Sequence, residues 1–146
     1  MRVLGVDYGD RHIGLALSDP LLITAQPLRS YRLTGREGED REYFRELVEK
    51  HEVSEIVLGN PLRMDGSSGT RAEKTRQFAV WLETATGRPI VLVDERLTTQ
   101  QALKAMGDEP PRGKKKKDWE DRIAAVIILS TYLERKRGEG GVHQAD

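Results

Sequence analysis

The sequence predicts an α/β domain built on a mixed sheet, in which three antiparallel strands come first and parallel strands follow. Two observations predict it. The opening segment holds three short, apolar, β-rich runs separated by turn residues and spaced too closely for crossover helices. The middle of the chain then alternates apolar strand with amphipathic helix, the pattern of parallel pairing. A length of 146 residues allows one sizeable core and no second ordinary domain. The domain is expected over residues 1–137, with 138–146 as a polar, glycine-rich C-terminal tail that frays.

The elements follow in order. Arg2 to Val6 is apolar and β-rich, and Asp7-Tyr8-Gly9-Asp10 closes it as the first strand. Ile13 to Leu17 and Gln26 to Leu33 complete a meander, divided by Ser18-Asp19-Pro20, and Thr34 to Asp40 reads as a polar connector. From Arg41, residues Tyr43, Phe44, Leu47 and Val48 share one helical face, which predicts a helix to about His51. Ile56-Val57-Leu58 is a compact strand ended by Gly59-Asn60-Pro61. Ala72, Thr75, Phe78, Ala79 and Leu82 mark a second amphipathic helix, and Pro89 to Val93 a further strand ended by Asp94-Glu95. Thr98 and Gln101 form a capping-box signature for another helix. Asp108 to Lys117, with two prolines, a glycine and four lysines, reads as an exposed, mobile loop. The last helix is expected from near Asp118; its segment Ile123 to Leu129 is apolar nearly all round and should pack hard against the sheet.

Composition removes several function classes. Without cysteine there can be no disulfide, thiolate zinc site or cysteine nucleophile. His12, His51 and His143 are far apart in sequence, so metal chemistry would rest on oxygen ligands, which points to magnesium or manganese. Charged residues are 33% of the chain yet sum to +0, so any attraction for a polyanion must be local. The N-terminus is apolar only until Asp7, which lacks the run of a signal peptide, and no later segment approaches a membrane span; a cytoplasmic protein with no membrane partner is expected.

In an open sheet with parallel strands, ligands gather beyond the carboxyl ends of those strands, where connecting loops diverge. Those ends present Asp7, then Gly59-Asn60-Pro61, then Asp94-Glu95. Singly, each acid has an ordinary structural reading: Asp7 as a turn former, Asp94 and Glu95 as residues before a helix that pair with Arg96, Asp118 as a helix cap and Asp121 as a first-turn acid. Together they make a carboxylate cluster in a crevice, unfavourable unless a cation neutralises it. Two divalent ions about 3.5–4 Å apart could then activate a water and steady the leaving oxygen of a phosphodiester. Asp7 is the natural bridging ligand, with Glu95 and Asp121 flanking it; these three are the expected catalytic and metal-binding residues. The glycine-rich stretch Gly59 to Thr70 suits backbone amides to phosphate, although it lacks the ending of a nucleotide P-loop. Gly59, Pro61 and Arg63 there, Arg96, and the run Lys114, Lys115, Lys116 and Lys117 are the candidate substrate contacts.

These residues resemble the YqgF/RuvX family of Holliday junction resolvases and nucleases that mature the small-subunit ribosomal RNA precursor. The likeness runs through Asp7-x-Gly9, Ile13-Gly14-x-Ala16, Ser18-Asp19, Ala25-x-Pro27-Leu28 and Gly59-x-Pro61-Leu62-x-Met64-x-Gly66. It continues through Asp94-Glu95-Arg96-Leu97-Thr98 to Asp121-x-x-Ala124-Ala125-x-x-Ile128-Leu129. Each motif is weak, but their order and spacing are specific. The resemblance implies a ribonuclease H-like fold with a five-stranded mixed sheet and a metal-dependent site to which Asp7, Glu95 and Asp121 correspond. Nucleic acid, as structured RNA or branched DNA, is the implied partner, with Mg2+ or Mn2+ as a two-ion cofactor and a monomer or homodimer as the assembly. Trp119, beside the acidic position, is outside the expected pattern and reads as helix packing.

Two rivals belong to other classes. The Asp-x-Gly opening also resembles the phosphate loop of actin-like phosphotransferases, but those enclose nucleotide between two lobes and this chain has length for one. A non-catalytic nucleic-acid-binding module of the same fold is disfavoured by the presence of all three acids.

Overall fold

The computed structural model describes residues 1–9, 11–60, 70–94 and 115–144; of residues 70, 94, 115–118, 121 and 139–144 it describes the backbone. Five strands, β1 (Arg2–Tyr8), β2 (His12–Ser18), β3 (Ala25–Arg32), β4 (Val53–Asn60) and β5 (Ile90–Asp94), form one sheet in the order β3-β2-β1-β4-β5. β1 runs antiparallel to β2, and β2 to β3; β1 and β4, and β4 and β5, are parallel. This is the mixed sheet expected. The helices are α1 (Glu37–Lys50), α2 (Thr70–Thr86) and α3 (Lys115–Gln144). The helix expected from Thr98 lies outside the described residues.

β1 is central and buried on both faces, which explains its unbroken apolar run in place of polar alternation. Leu4 and Val6 face a core shared with Ile13, Leu15, Ile56, Leu58 and the α1–α2 residues Phe44, Val48, Phe78 and Leu82. Val3 faces the opposite core, with Val57, Val93 and the α3 residues Ala125, Val126, Ile128, Leu129 and Leu133. The expected packing of Ile123 to Leu129 against the sheet is thereby realised. On the α1–α2 side the aromatic rings form a connected group: Tyr8 stacks on Phe78 at 4.4 Å, Phe78 on Trp81 at 5.6 Å, and Phe44 meets both Phe78 and Trp81 edge-on.

Two boundaries differ from expectation. α1 begins at Glu37, inside the stretch read as a connector. Its first turn carries Glu37, Glu39 and Asp40, which suit a helix N-terminus electrostatically but give no apolar periodicity to recognise. α3 begins at Lys115, so Lys115, Lys116 and Lys117 are in its first turn rather than in a loop; lysine is a good helix former despite the unfavourable dipole there. The helical backbone also continues past Gly138 to Gln144, through the stretch expected to fray.

Asp40 anchors the start of α1. One carboxylate oxygen accepts hydrogen bonds from the Tyr31 hydroxyl at 2.6 Å, the Thr34 amide at 3.0 Å and the Thr34 hydroxyl at 3.0 Å. Burial disfavours its charge, but these bonds outweigh burial and hold the carboxyl below its usual range, while the same burial and carboxylate push the Tyr31 hydroxyl up. A carboxyl whose folded value is depressed contributes stability above the ordinary range and loses it as pH falls through the folded value. Asp40→Asn should therefore cost about 1.5–3 kcal/mol at neutral pH. In urea unfolding the gap between variant and parent should narrow as the pH is taken below the ordinary carboxylate range; a gap independent of pH would show that the charge of Asp40 is not what anchors the helix.

Candidate active site

The candidate site is assembled where β1, β4 and β5 end. Asp7 is half-buried near the end of β1, and strand alternation puts it on the same face as Val3 and Gly5, toward α3. The approach of α3 is set at Gly5. A Cβ there would meet Leu129 Cβ at 2.7 Å and the Ala125 carbonyl oxygen at 3.0 Å, so the helix backbone rests directly on the strand. The helix direction follows from its far end: the Tyr132 hydroxyl donates to Glu55 Oε1 at 2.7 Å and Lys136 Nζ lies 3.0 Å from the same oxygen. Glu55 pairs in register with Val3, at the entry end of β1, so α3 runs antiparallel to β1 with its N-terminal turns at the exit end.

This geometry carries position 121 toward Asp7. From Gly5 to Asp7 the strand advances roughly 6.6 Å, and from Ala125 back to Asp121 the helix advances about 6 Å in the same direction on the same face. The backbones at Asp7 and Asp121 therefore come to one end of the sheet; the Asp121 side chain is not among those described. Asp94 ends β5 in register with Asn60, at the same end of the sheet; Glu95 lies outside the described residues. Pro61, Arg63, Arg96 and Lys114 lie outside them too. Gly59 is described, as a β4 residue paired with Val93. Among the described residues no three His, Asp or Glu side chains are grouped to hold a metal ion. The donors that the topology sends to this end are carboxylates, hard oxygen ligands that fit magnesium or manganese.

The surroundings of Asp7 include residues that the motifs did not single out. Arg71, in the first turn of α2, donates to the Tyr8 carbonyl at 2.7 Å and ties that helix to the exit of β1. Nothing in the sequence around Arg71 announces the contact, which spans 63 positions. Asn60, the last residue of β4, has a buried side-chain oxygen with no hydrogen-bond partner, an acceptor available to a solvent or ligand donor. Gly9 makes the turn after Tyr8 possible, because a Cβ there would stand 2.5 Å from the His12 carbonyl oxygen.

Ser18 and Asp19, by contrast, are structural. The buried Ser18 hydroxyl accepts the Val3 amide at 2.8 Å. Asp19 Oδ1 accepts the Ile23 and Thr24 amides at 2.7 and 2.8 Å. The Thr24 bond is the chief reason its carboxyl sits below its usual range.

The fold defines a class: a ribonuclease H-like architecture, with Asp7 near the end of the central strand. Among solved structures, the fold is similar to that of Thermus thermophilus RuvC in complex with Holliday junction substrate, at a TM-score of 0.59 and 19% identity over 94% of this chain and 96% of that one. A second Thermus thermophilus RuvC structure gives the same TM-score of 0.59, at 14% identity over 94% of this chain and 97% of that one. At the level of sequence, the model of the RuvX family, described as Holliday junction resolvase, matches residues 1–135. The chain belongs to that family. A relative from Halothermothrix orenii is 44% identical over 91% of this chain and 94% of its own length. One from Koribacter versatilis is 42% identical over 92% of this chain and 88% of its own. Both carry the name "Putative pre-16S rRNA nuclease".

If the seating of α3 on Gly5 positions the site, a single methyl there should be felt twice. Gly5→Ala should lose about 1–3 kcal/mol of unfolding free energy through overpacking and should lower catalytic activity under conditions where the variant is still folded. Gly38→Ala, on α1 where a Cβ meets nothing within 4 Å, is the matched control and should do neither. Equal stability of the two variants would show that the helix can shift at no cost.

Proposed function

We propose that this chain is a metal-dependent nuclease that hydrolyses phosphodiester bonds of structured RNA, with the maturing end of the small-subunit ribosomal RNA precursor as its substrate. The observation that carries the reading is the convergence of Asp7, the β5 exit and the N-terminal turns of α3 on one end of the sheet. The names of the 42–44% identical relatives favour the RNA precursor. The family's description and the RuvC complex keep four-way DNA junctions as the second substrate to compare. The nuclease domain spans 1–137 and works in the cytoplasm. A monomer suffices for trimming an RNA end, whereas a junction, needing two coordinated cuts, calls for a homodimer on the substrate.

Asp7, Glu95 and Asp121 would hold two divalent ions, Mg2+ or Mn2+. When bound, the ions supply a nucleophilic water at neutral pH and charge stabilisation of the scissile phosphate. The chain's own residues do the rest. Asp7, on the most rigid strand, fixes the position of the centre, and Arg71 steadies the backbone that carries it by holding the Tyr8 carbonyl. Gly59 and Pro61, with the cations Arg63, Arg96 and Lys114 to Lys117, would contact the phosphates on either side.

Asp7→Asn should remove an anionic ligand while preserving shape. Cleavage of a precursor RNA in magnesium or manganese should drop by about a thousandfold or more, since metal catalysis supplies several kcal/mol, with the melting temperature unchanged or higher. A variant that cuts at the parent rate would sink the assignment. Comparing the RNA precursor, a four-way DNA junction and a plain single strand, each with metal and with chelator, decides the substrate: preferential cutting of the junction would overturn the RNA reading while keeping the nuclease.

A further inference from the structure

Most arginines on α1, at its N-cap and on α2 are paired with a neighbouring acid: Arg36 with Glu39, Arg41 with Glu37, Arg45 with Glu42 and Arg76 with Glu73. The β1–β2–β3 ribbon departs from this habit. Arg11 and Arg32 are exposed, and among the described residues neither makes an ion pair or a side-chain hydrogen bond. In a chain whose charges sum to +0, two cations without an ion pair at one end of the sheet form a local positive potential.

Their placement is informative. Arg32 pairs in register with His12, and Tyr31 with Ile13. Ile13 and Tyr31 face the α1–α2 core, so His12 and Arg32 face the other way, the face that carries Asp7 and its register partner Gly14. Two strand spacings and two residues of rise separate Arg32 from Asp7, roughly 12 Å between Cα atoms. Arg11 sits in the turn between β1 and β2, and its carbonyl accepts the Leu33 amide at 2.8 Å, which binds this turn to the end of β3. Arg11, His12 and Arg32 thus lie at the exit end of β1, on the side of that strand opposite β4 and β5.

We propose that Arg11 and Arg32 form a second phosphate-binding strip, which grips the sugar-phosphate backbone of the substrate away from the scissile bond. The inference rests on the nuclease reading for the identity of that substrate. An acidic protein partner would be recognised by the same charges, but Arg32 shares a face with Asp7 and Arg11 stands in the adjoining turn at the same end of the sheet, so a polyanion leaving the site across β2 and β3 passes both. Backbone contacts of this kind position a substrate without reading its sequence, so their loss affects affinity and salt dependence rather than the chemical step.

The test is binding of a fluorescent stem-and-tail RNA by anisotropy, with calcium in place of magnesium, across a salt series. The Arg11→Gln/Arg32→Gln double variant should bind about tenfold more weakly at low salt. Its plot of log affinity against log salt should be shallower by about 1.5, since each lost phosphate contact removes nearly one unit of slope. Arg11→Lys/Arg32→Lys should restore the slope, and Arg45→Gln, whose partner is Glu42, should leave it as in the parent. In magnesium, KM for the double variant should rise with kcat unchanged. A parent-like salt slope in the double variant, or a parent protein that binds no nucleic acid, overturns the strip. A parent protein that binds RNA but cuts nothing overturns the nuclease reading instead, and the strip is then judged on the slopes alone.

Discussion

One close contact governs the rest of the molecule: α3 lies on the bare backbone of β1 at Gly5. Helices normally pack on sheets through a layer of side chains, whose lengths leave some latitude in the distance between layers. Here the strand contributes no side chain, and the helix rests with Leu129 and the Ala125 carbonyl against it. The separation is fixed by hard-sphere contact, which is steep, rather than by side-chain packing, which can readjust. The same helix brings position 121 to the end of the strand that carries Asp7. A centre that depends on oxygen ligands from two elements tolerates little drift between them, and a contact without adjustable parts limits that drift.

The sheet divides its labour by face. Toward α1 and α2, β1 and its neighbours present Leu4, Val6, Ile56 and Leu58 to a core closed by Phe44, Phe78 and Trp81, where burial and ring contacts give stability. Toward α3, the positions that continue Val3 and Gly5 end in Asp7. Tyr8, one residue further, returns to the first face and stacks on Phe78, so the two side chains that close β1 serve opposite purposes. Ring stacking on one side and the Arg71 bond to the Tyr8 carbonyl brace the end of the strand beside the acid.

How much of this was legible in the sequence depended on whether a residue's role was local or distant. The five strands and the two described helices of the middle segment were readable because apolar periodicity of two or near four leaves a local trace. The candidate acids were readable because each ends a strand or opens a helix, positions that topology sends to one side of a sheet. The first turn of α1 was not readable: Glu37 to Asp40 carry charge without periodicity, and what organises them is Tyr31 and Thr34 in the preceding strand and connector. Lys115 to Lys117 misled for a related reason, since a charge run suggests a loop while lysine itself favours helix. The contact of Arg71, and the lack of an ion pair for Arg11 and Arg32 among the described residues, could not be read at all, because partners appear only when the chain is folded. Ser18-Asp19 was readable as a motif but not as to purpose; the structure assigns it to backbone hydrogen bonds of a turn and of β1.

Charge explains how a protein of zero net charge can take a polyanion as substrate. Several arginines of α1 and α2 are paired with neighbouring acids, whereas Arg11 and Arg32 make no ion pair among the described residues and stand at the same end of the sheet as Asp7, so the proposed metal-binding acids and phosphate-binding cations meet there. On the proposed function these two sets oppose each other until metal is present, because ionised carboxylates at the centre repel the phosphate that the arginines attract. Metal ions relieve that repulsion, and a bound phosphate in turn offers the ions further oxygen ligands. The two binding equilibria are then coupled, and linkage requires the coupling to be reciprocal: the factor by which metal tightens nucleic acid is the factor by which nucleic acid tightens metal. Specificity for a cleavable complex would in this way arise from charge placement at one end of a sheet, with no need for an overall basic surface.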